Sequence, residues 1–314
     1  VYVTTSETST QTTSVSTTEA LPQTSRSIIH ELHINPDIKT EPLEFVELYN
    51  DTDDVLALSQ WYFCDGISYT FPDDVVLDPG AYLVVAEDPV ALLEAYVVES
   101  DVYGPFTGKL KNSGEAIALC RDDGLLVSSF DYGLGFPWPT VGGPVSESEP
   151  GTGFSMQLQR PDLDSRHPGS WRSGAPTPGT ANAPVFTENA APLIDTVSHW
   201  PFQPRSKDSV AIEAVVFDAD GIDTVTLQYQ IVRPGDYIPY AYFGGPDNRV
   251  LNSAYEEGWV DVPMVAVDDE GVLFRGDIPS DVQVHRNLIR YRIVAVDNAG
   301  VSLQIPYADD PQPN

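Results

Sequence analysis

Positive charge is what this chain lacks most. Lysine and arginine number 16 against 47 aspartates and glutamates, a formal net charge of −31 over 314 residues. Neutralising a phosphate backbone requires a basic face, so this composition excludes nucleic acid as a partner. The acidity itself has three readings: solubility in a salty habitat, divalent-cation binding, or the repelling surface of a secreted protein. Long apolar runs are missing too. No stretch of roughly 18 apolar residues occurs, so no membrane span is expected. No signal-peptide pattern opens the chain either. It begins at Val1 rather than methionine, which suggests a piece of something longer whose targeting signal lies elsewhere.

Cysteine is scarce, with two residues, Cys64 and Cys120. In an exported chain they would form a disulfide, and in a reducing compartment they would be buried thiols. Strand parity leaves both readings open, since Cys64 shares a face with Tyr62, and Cys120 one with Ala116 and Ala118. Catalytic signatures are also lacking. There is no G-x-S-x-G elbow, no P-loop and no G-x-G-x-x-G. His30 and His33 sit in HELH, one residue short of the helical HExxH spacing that puts two imidazoles on one face. On a strand they are expected to point to opposite faces. Glu44 and Glu47 are likewise expected to diverge, which disfavours a glycosidase pair. No catalytic residue is assigned, and the chain reads as a non-enzyme.

What is present is strand patterning. In EFVELYN, Val46 and Leu48 alternate with Phe45, Glu47 and Tyr49. Phe154, Met156 and Leu158 alternate with Ser155, Gln157 and Gln159. Both read as half-buried antiparallel strands with one apolar face. Asp65-Gly66, Asp123-Gly124 and Asp220-Gly221 supply turn residues that tolerate positive φ. The best helical candidate is short, residues 89–97.

The order of these segments resembles a known family. Residues 28–61, IIHELHINPDIKTEPLEFVELYNDTDDVLALSQW, are followed by FCDGISYTF, AYLVVA, KNSGEAIAL, FDYGLGFPWP, FSMQLQRP and the exit PTPGTAN. Together they resemble the lamin-tail domain. The resemblance implies an immunoglobulin-like β-sandwich used for attachment rather than chemistry, of the kind found in large bacterial secreted or surface proteins. It also implies that Trp61, Phe63, Phe71, Trp138 and Phe154 are core or rim aromatics.

The expected organisation is therefore all-β, with two consecutive antiparallel sandwiches. Residues 1–26 form a linker, with twelve serines or threonines between positions 4 and 18. Residues 27–183 form the lamin-tail-like sandwich, and residues 184–314 an immunoglobulin-like or fibronectin-III-like one. In the latter, Val210, Ile212, Ala214 and Val216 share a face, as do Val225, Leu227, Tyr229 and Ile231. The string YRIVAVDNAG resembles the penultimate strand and turn of such modules.

Two candidate sites emerge. Asp218, Asp220 and Asp223 place three carboxylates on a turn that could ligate calcium, although Asp-x-Asp-Gly is also an ordinary hairpin corner. The insertion 233–259 carries Tyr237, Tyr240, Tyr242, Phe243 and Trp259 among prolines and glycines, a candidate recognition surface for a protein or polysaccharide ligand, or else packing at the end of the sandwich. Beyond calcium no cofactor is expected. The functional expectation is a non-catalytic, extracellular or cell-surface adhesion or substrate-targeting module. The alternative is a spacer that positions a catalytic domain outside this chain, such as a kinase-like domain of the spore-coat protein H type, a nuclease or a hydrolase.

Overall fold

A computed structural model describes residues 27–36, 42–142, 153–182, 191–218, 220–236, 238, 241–243 and 249–307. The expected linker 1–26 lies outside the described residues. The described residues are nearly all β, as the alternating patterns require.

The first half contains β1 (Ser27–His33), β2 (Phe45–Asn50), β3 (Leu56–Ala57), β4 (Tyr62–Asp65), β5 (Val76–Leu77) and β6 (Tyr82–Ala86). After these come α1 (Pro89–Ala95), β7 (Asp101–Tyr103), β8 (Glu115–Cys120), β9 (Leu126–Tyr132), β10 (Ser155–Leu158) and β11 (Trp171–Gly174). One sheet runs in the order β11-β10-β1-β2-β6-β7 and faces a smaller β4-β8-β9 sheet. Between them Ile29, Leu32, Val46, Leu48, Met156 and Leu158 pack against Phe63, Ile117, Leu119 and Phe130. Trp61 and Phe71 are buried in the same core, while Trp138 is half-buried against it.

Two features depart from a plain antiparallel, half-buried sandwich. The pair β6–β7 is parallel, because α1 carries the chain across the sheet in the crossover that parallel strands need. Asp88 caps this helix by accepting from the Val90 and Ala91 amides. Second, β2 is buried on both faces: Phe45 and Glu47 are as inaccessible as Val46 and Leu48. Leu92 of α1 packs on Phe45, Val84 and Ala86, covering the face that strand periodicity alone would leave to solvent.

The second half contains β12 (Leu193–Trp200), β13 (Val210–Phe217), β14 (Ile222–Val232), β15 (Ala241–Phe243), β16 (Arg249–Leu251) and β17 (Val260–Pro263). It closes with β18 (Val265–Ala266), β19 (Leu273–Ile278), β20 (Leu288–Asp297) and β21 (Ser302–Ile305). Two four-stranded sheets, β12-β13-β19-β18 and β17-β14-β20-β21, enclose a second core. On β13 period-two alternation holds strictly. Val210, Ile212, Ala214 and Val216 are buried while the residues between them are partly open, and they face Val225, Leu227, Ile293 and Ala295.

The halves touch. Tyr307, buried after β21, donates from its hydroxyl to the Pro168 carbonyl at 3.0 Å, and the Arg172 guanidinium lies 3.8 Å from the centre of its ring. His167 Nδ1 meets Asp195 Oδ1 at 3.0 Å.

Candidate functional sites

The densest polar cluster lies on the covered face of β1 and β2. Ile29 pairs with Leu48 and Glu31 with Glu47, so His30 is an extra residue in a bulge. A bulge places two residues opposite one and re-aims a side chain. His30 therefore turns to the side of Glu31 and reaches Glu47 Oε1 from Nδ1 at 3.0 Å. His33, paired with Phe45, lies on this same face, where its Nδ1 sits 2.9 Å from the Leu43 carbonyl oxygen. The two histidines thus share a face, contrary to the alternation expected of a regular strand, and the bulge is the reason.

The exit segment 176–182 straps across this cluster. Thr177 donates its amide to Glu31 Oε1 at 3.0 Å and its hydroxyl to Oε2 at 3.0 Å. The Gly179 amide donates to Glu47 Oε2 at 2.6 Å. Asn182 Nδ2 bonds the carbonyls of His30 and Leu158 at 3.0 and 2.7 Å, and Gln157 Nε2 bonds Glu31 and the Ala175 carbonyl. Gly179 has φ +83°, and a Cβ there would stand 2.7 Å from Ser100 Oγ and 2.8 Å from Val98 Cγ1. Only glycine lets this amide come so close.

Burial dominates the electrostatics. It pushes the Glu47 carboxyl well above the ordinary carboxylate range, and the Glu31 charge adds to the shift, against the Gly179 hydrogen bond. Burial raises Glu31 as well, opposed by hydrogen bonds from Ser155, Thr177 and Gln157. Burial holds His30 down at about 4, so its imidazole is neutral near pH 7. Two adjacent buried carboxyls disfavour carrying two full charges. What this arrangement does is fasten the strap. Glu44 is not part of it: its Oε2 accepts the Leu110 amide at 2.9 Å.

Cys64 and Cys120 are joined by a disulfide between β4 and β8.

At the Asp220-Gly221 corner, Asp218 Oδ1 accepts the Asp220 amide at 2.7 Å and Gly221 has φ +84°. Burial raises Asp218, with the Asp297 and Asp220 charges adding to it, and Asp223 is exposed on β14. Among the described residues no three Asp, Glu, His or Cys side chains group as metal ligands.

Of the insertion aromatics, Tyr237 and Tyr240 lie outside the described residues, and so do the side chains of Tyr242 and Phe243 on β15. Trp259 is half-buried. Its indole N–H donates to the Tyr255 carbonyl at 2.7 Å, and the Arg292 guanidinium sits 4.2 Å from its ring centre. Trp259 therefore packs against its own sheet.

The insertion leaves the second sandwich at an informative end. Val232 at its base pairs with Leu288, and Arg290 donates to the Ile238 carbonyl at 2.8 Å. A cavity of about 560 Å³ opens there, lined by residues that include His199, Arg205, Val210, Ile278, His285, Arg286, Leu288 and Tyr291. Burial pushes the Tyr291 phenol up to about 12. Beside the cavity Trp200 and Phe202 are 65% and 70% exposed, edge to face at 5.4 Å. Sequence reasoning passed over this end. The available signal was WPFQPRSK, where two aromatics and two of the chain's few cations fall together.

Two facing sheets with a disulfide across β4 and β8 define the first half as an immunoglobulin-like β-sandwich. Residues 21–134 match the family model described as Lamin Tail Domain. The match ends before β10 and β11, which complete the same six-stranded sheet. No curated protein and no solved structure matches the chain.

Proposed function

We propose that the chain is a non-catalytic attachment module of a secreted or cell-surface protein, and that the distal end of its second sandwich carries the binding surface. Its units are then a linker over 1–26, the lamin-tail sandwich over 27–183 and a second immunoglobulin-like sandwich over 184–314. The lamin-tail family is an immunoglobulin-like fold, consistent with a non-catalytic role. The observation that carries the reading is the convergence at one end of exposed Trp200 and Phe202, the cavity between the sheets and the root of the aromatic insertion. Large exposed aromatics grouped on a rigid sandwich mark interaction sites rather than core. In the same reading the disulfide is compatible with an oxidising, extracellular location, and no helix among the described residues is long and apolar enough to cross a membrane. Calcium at Asp218, Asp220 and Asp223 would be accessory to attachment.

The test is co-sedimentation of the chain with insoluble polysaccharides and bacterial envelope fractions, in calcium and in chelator. Retention that falls on replacing Tyr240 and Tyr242, or Trp200 and Phe202, by alanine supports attachment. Absence of retention on every matrix refutes it.

A second reading, a spacer that positions a catalytic domain beyond this chain, draws support from the packed junction of Tyr307 with Pro168 and Arg172. It predicts a fixed angle between the sandwiches and no ligand.

A further inference from the structure

The chemistry of the distal cavity narrows the ligand, an inference that rests on the attachment reading. Several described cations of this chain stand against acids. Lys111 meets Glu115, Arg121 meets Asp123, Arg160 meets Asp162, Arg166 meets Asp164, Arg275 meets Glu213 and Asp277, and Arg292 meets Glu256. Arg205 and Arg286, which both line the cavity, and Lys207, two residues after Arg205 on the same loop, make no ion pair among the described residues. The cavity wall therefore carries two guanidiniums, Arg205 and Arg286, that no described carboxylate pairs.

The backbone holds them there. Lys207 and Arg286 have φ of +75° and +70°, two of only five non-glycine residues in the left-handed region among those described. That conformation is unfavourable for a side chain with a Cβ, and such residues cluster where loops are held to meet a ligand. The two loops are joined, with the Lys207 amide donating to the Gln283 carbonyl at 3.0 Å. The cavity rim is aromatic: Phe202 lies 6.1 Å from His199, which lines the cavity, and 5.4 Å from Trp200.

We propose that this end binds an acidic saccharide. Carboxylate or sulfate groups are held by the guanidiniums of Arg205 and Arg286, and the apolar faces of the sugar rings rest on Phe202 and Trp200. Arginine matches a carboxylate through two parallel hydrogen bonds, and a flat aromatic face accepts the C–H face of a pyranose. The volume of about 560 Å³ falls in the range of small-ligand sites. An acidic peptide supplies the same charge but reads less well here. Strand addition would use the free edge of β12, whose N-terminal half is already covered, since a Cβ on Gly169 would lie 3.1 Å from the Ile194 amide nitrogen. The strong negative charge elsewhere also repels an extended polyanion, restricting contact to this end.

The test uses the 314-residue chain and four soluble probes: oligogalacturonate, a sulfated oligosaccharide, a neutral cello-oligosaccharide and oligoglutamate. Tryptophan fluorescence and calorimetry supply the readout. The expected result is binding of one or both acidic saccharides and not of the neutral one, weakened by added salt. The two acidic probes separate carboxylate from sulfate. Arg205→Ala and Arg286→Ala should each weaken binding by about tenfold, whereas Arg121→Ala, an equal loss of charge in the first sandwich, should leave it unchanged. Melting curves matching the parent confirm that the variants fold. Equal binding of the neutral probe, indifference to both arginine substitutions, or oligoglutamate binding as tightly as the saccharides would overturn the proposal. Retention on envelope or neutral matrices that survives Arg205→Ala and Arg286→Ala would sink the ligand class while leaving attachment standing. No binding to any probe or matrix would sink both.

Discussion

Removing the disulfide should destabilise one sandwich and spare the other. Cys64 and Cys120 are separated by 56 positions in sequence and join β4 to β8, so the bridge closes a long loop in the unfolded chain. The chain-entropy relation gives about 4 kcal/mol for a loop of that size. For a unit of about 150 residues each kcal/mol moves the midpoint by roughly 2–4 °C, so the first sandwich should melt roughly 8–16 °C lower. The Cys64→Ala/Cys120→Ala double variant is the cleanest perturbation. Cys64 is exposed and Cys120 buried, so the packing change is confined to one small side chain. Calorimetry resolves the effect because the second core, built on Ile212, Leu227 and Ile293, contains neither cysteine. Its transition is the internal control. Thiol titration of the denatured parent, with and without reductant, establishes the bonded state directly. A double variant that melts within about 2 °C of the parent, or two titratable thiols in the unreduced parent, would refute the reasoning.

The strap makes a pH-dependent prediction. Glu47 is raised in the fold, so its contribution to stability is complete below the ordinary glutamate range and is lost as pH rises through its raised value. Glu47→Gln cannot ionise yet still offers an oxygen to Gly179, so its urea midpoint should gain on the parent as pH rises above the ordinary glutamate range. A constant offset between the two would count against this. His30, lowered to about 4, acts oppositely: its contribution is present above about 6.5 and falls away as pH drops toward about 4. Gly179→Ala should destabilise the first sandwich, because the new Cβ meets Ser100 and Val98, and an unchanged midpoint would dispose of the close-approach argument. Trp171→Ala should cost about 3–5 kcal/mol, since the buried indole packs with its ring centre 4.9 Å from that of Phe130 and donates to the Ser165 carbonyl at 2.8 Å, a loss that denaturant titration reads directly. If the Asp218 corner is only a hairpin turn, calcium and chelator should give superimposable melts, and a rise of several degrees with calcium would establish a site there.

Much of the fold was legible because apolar alternation is a local property. The burial of Val210, Ile212, Ala214 and Val216 follows from period two alone, and the Asp-Gly corners follow from turn chemistry. The order of segments in the first half carried the resemblance to the lamin-tail family, whose model matches residues 21–134. Less legible was anything set by contacts distant in sequence. A glutamate between two apolar strand residues reads as solvent-facing, so nothing local showed that Glu31 and Glu47 would be buried under residues 176–182, whose contacts with them lie 146 and 132 positions away. The bulge at His30 hid for the same reason: an extra residue is visible only in the pairing of two strands. The candidate binding end was partly legible. The insertion at 233–259 was read from its aromatics, but Trp200, Arg205 and Arg286 come from separate segments that only the closed sandwich brings to one end.

Amide hydrogen exchange on the chain, alone and with the oligogalacturonate or sulfated oligosaccharide it retains, tests the central claim most directly. Attachment through the distal end predicts new protection in residues 199–208 and 283–291, with the strap at 176–182 unchanged. Protection confined to residues 27–182, or none anywhere at saturating ligand, would contradict it.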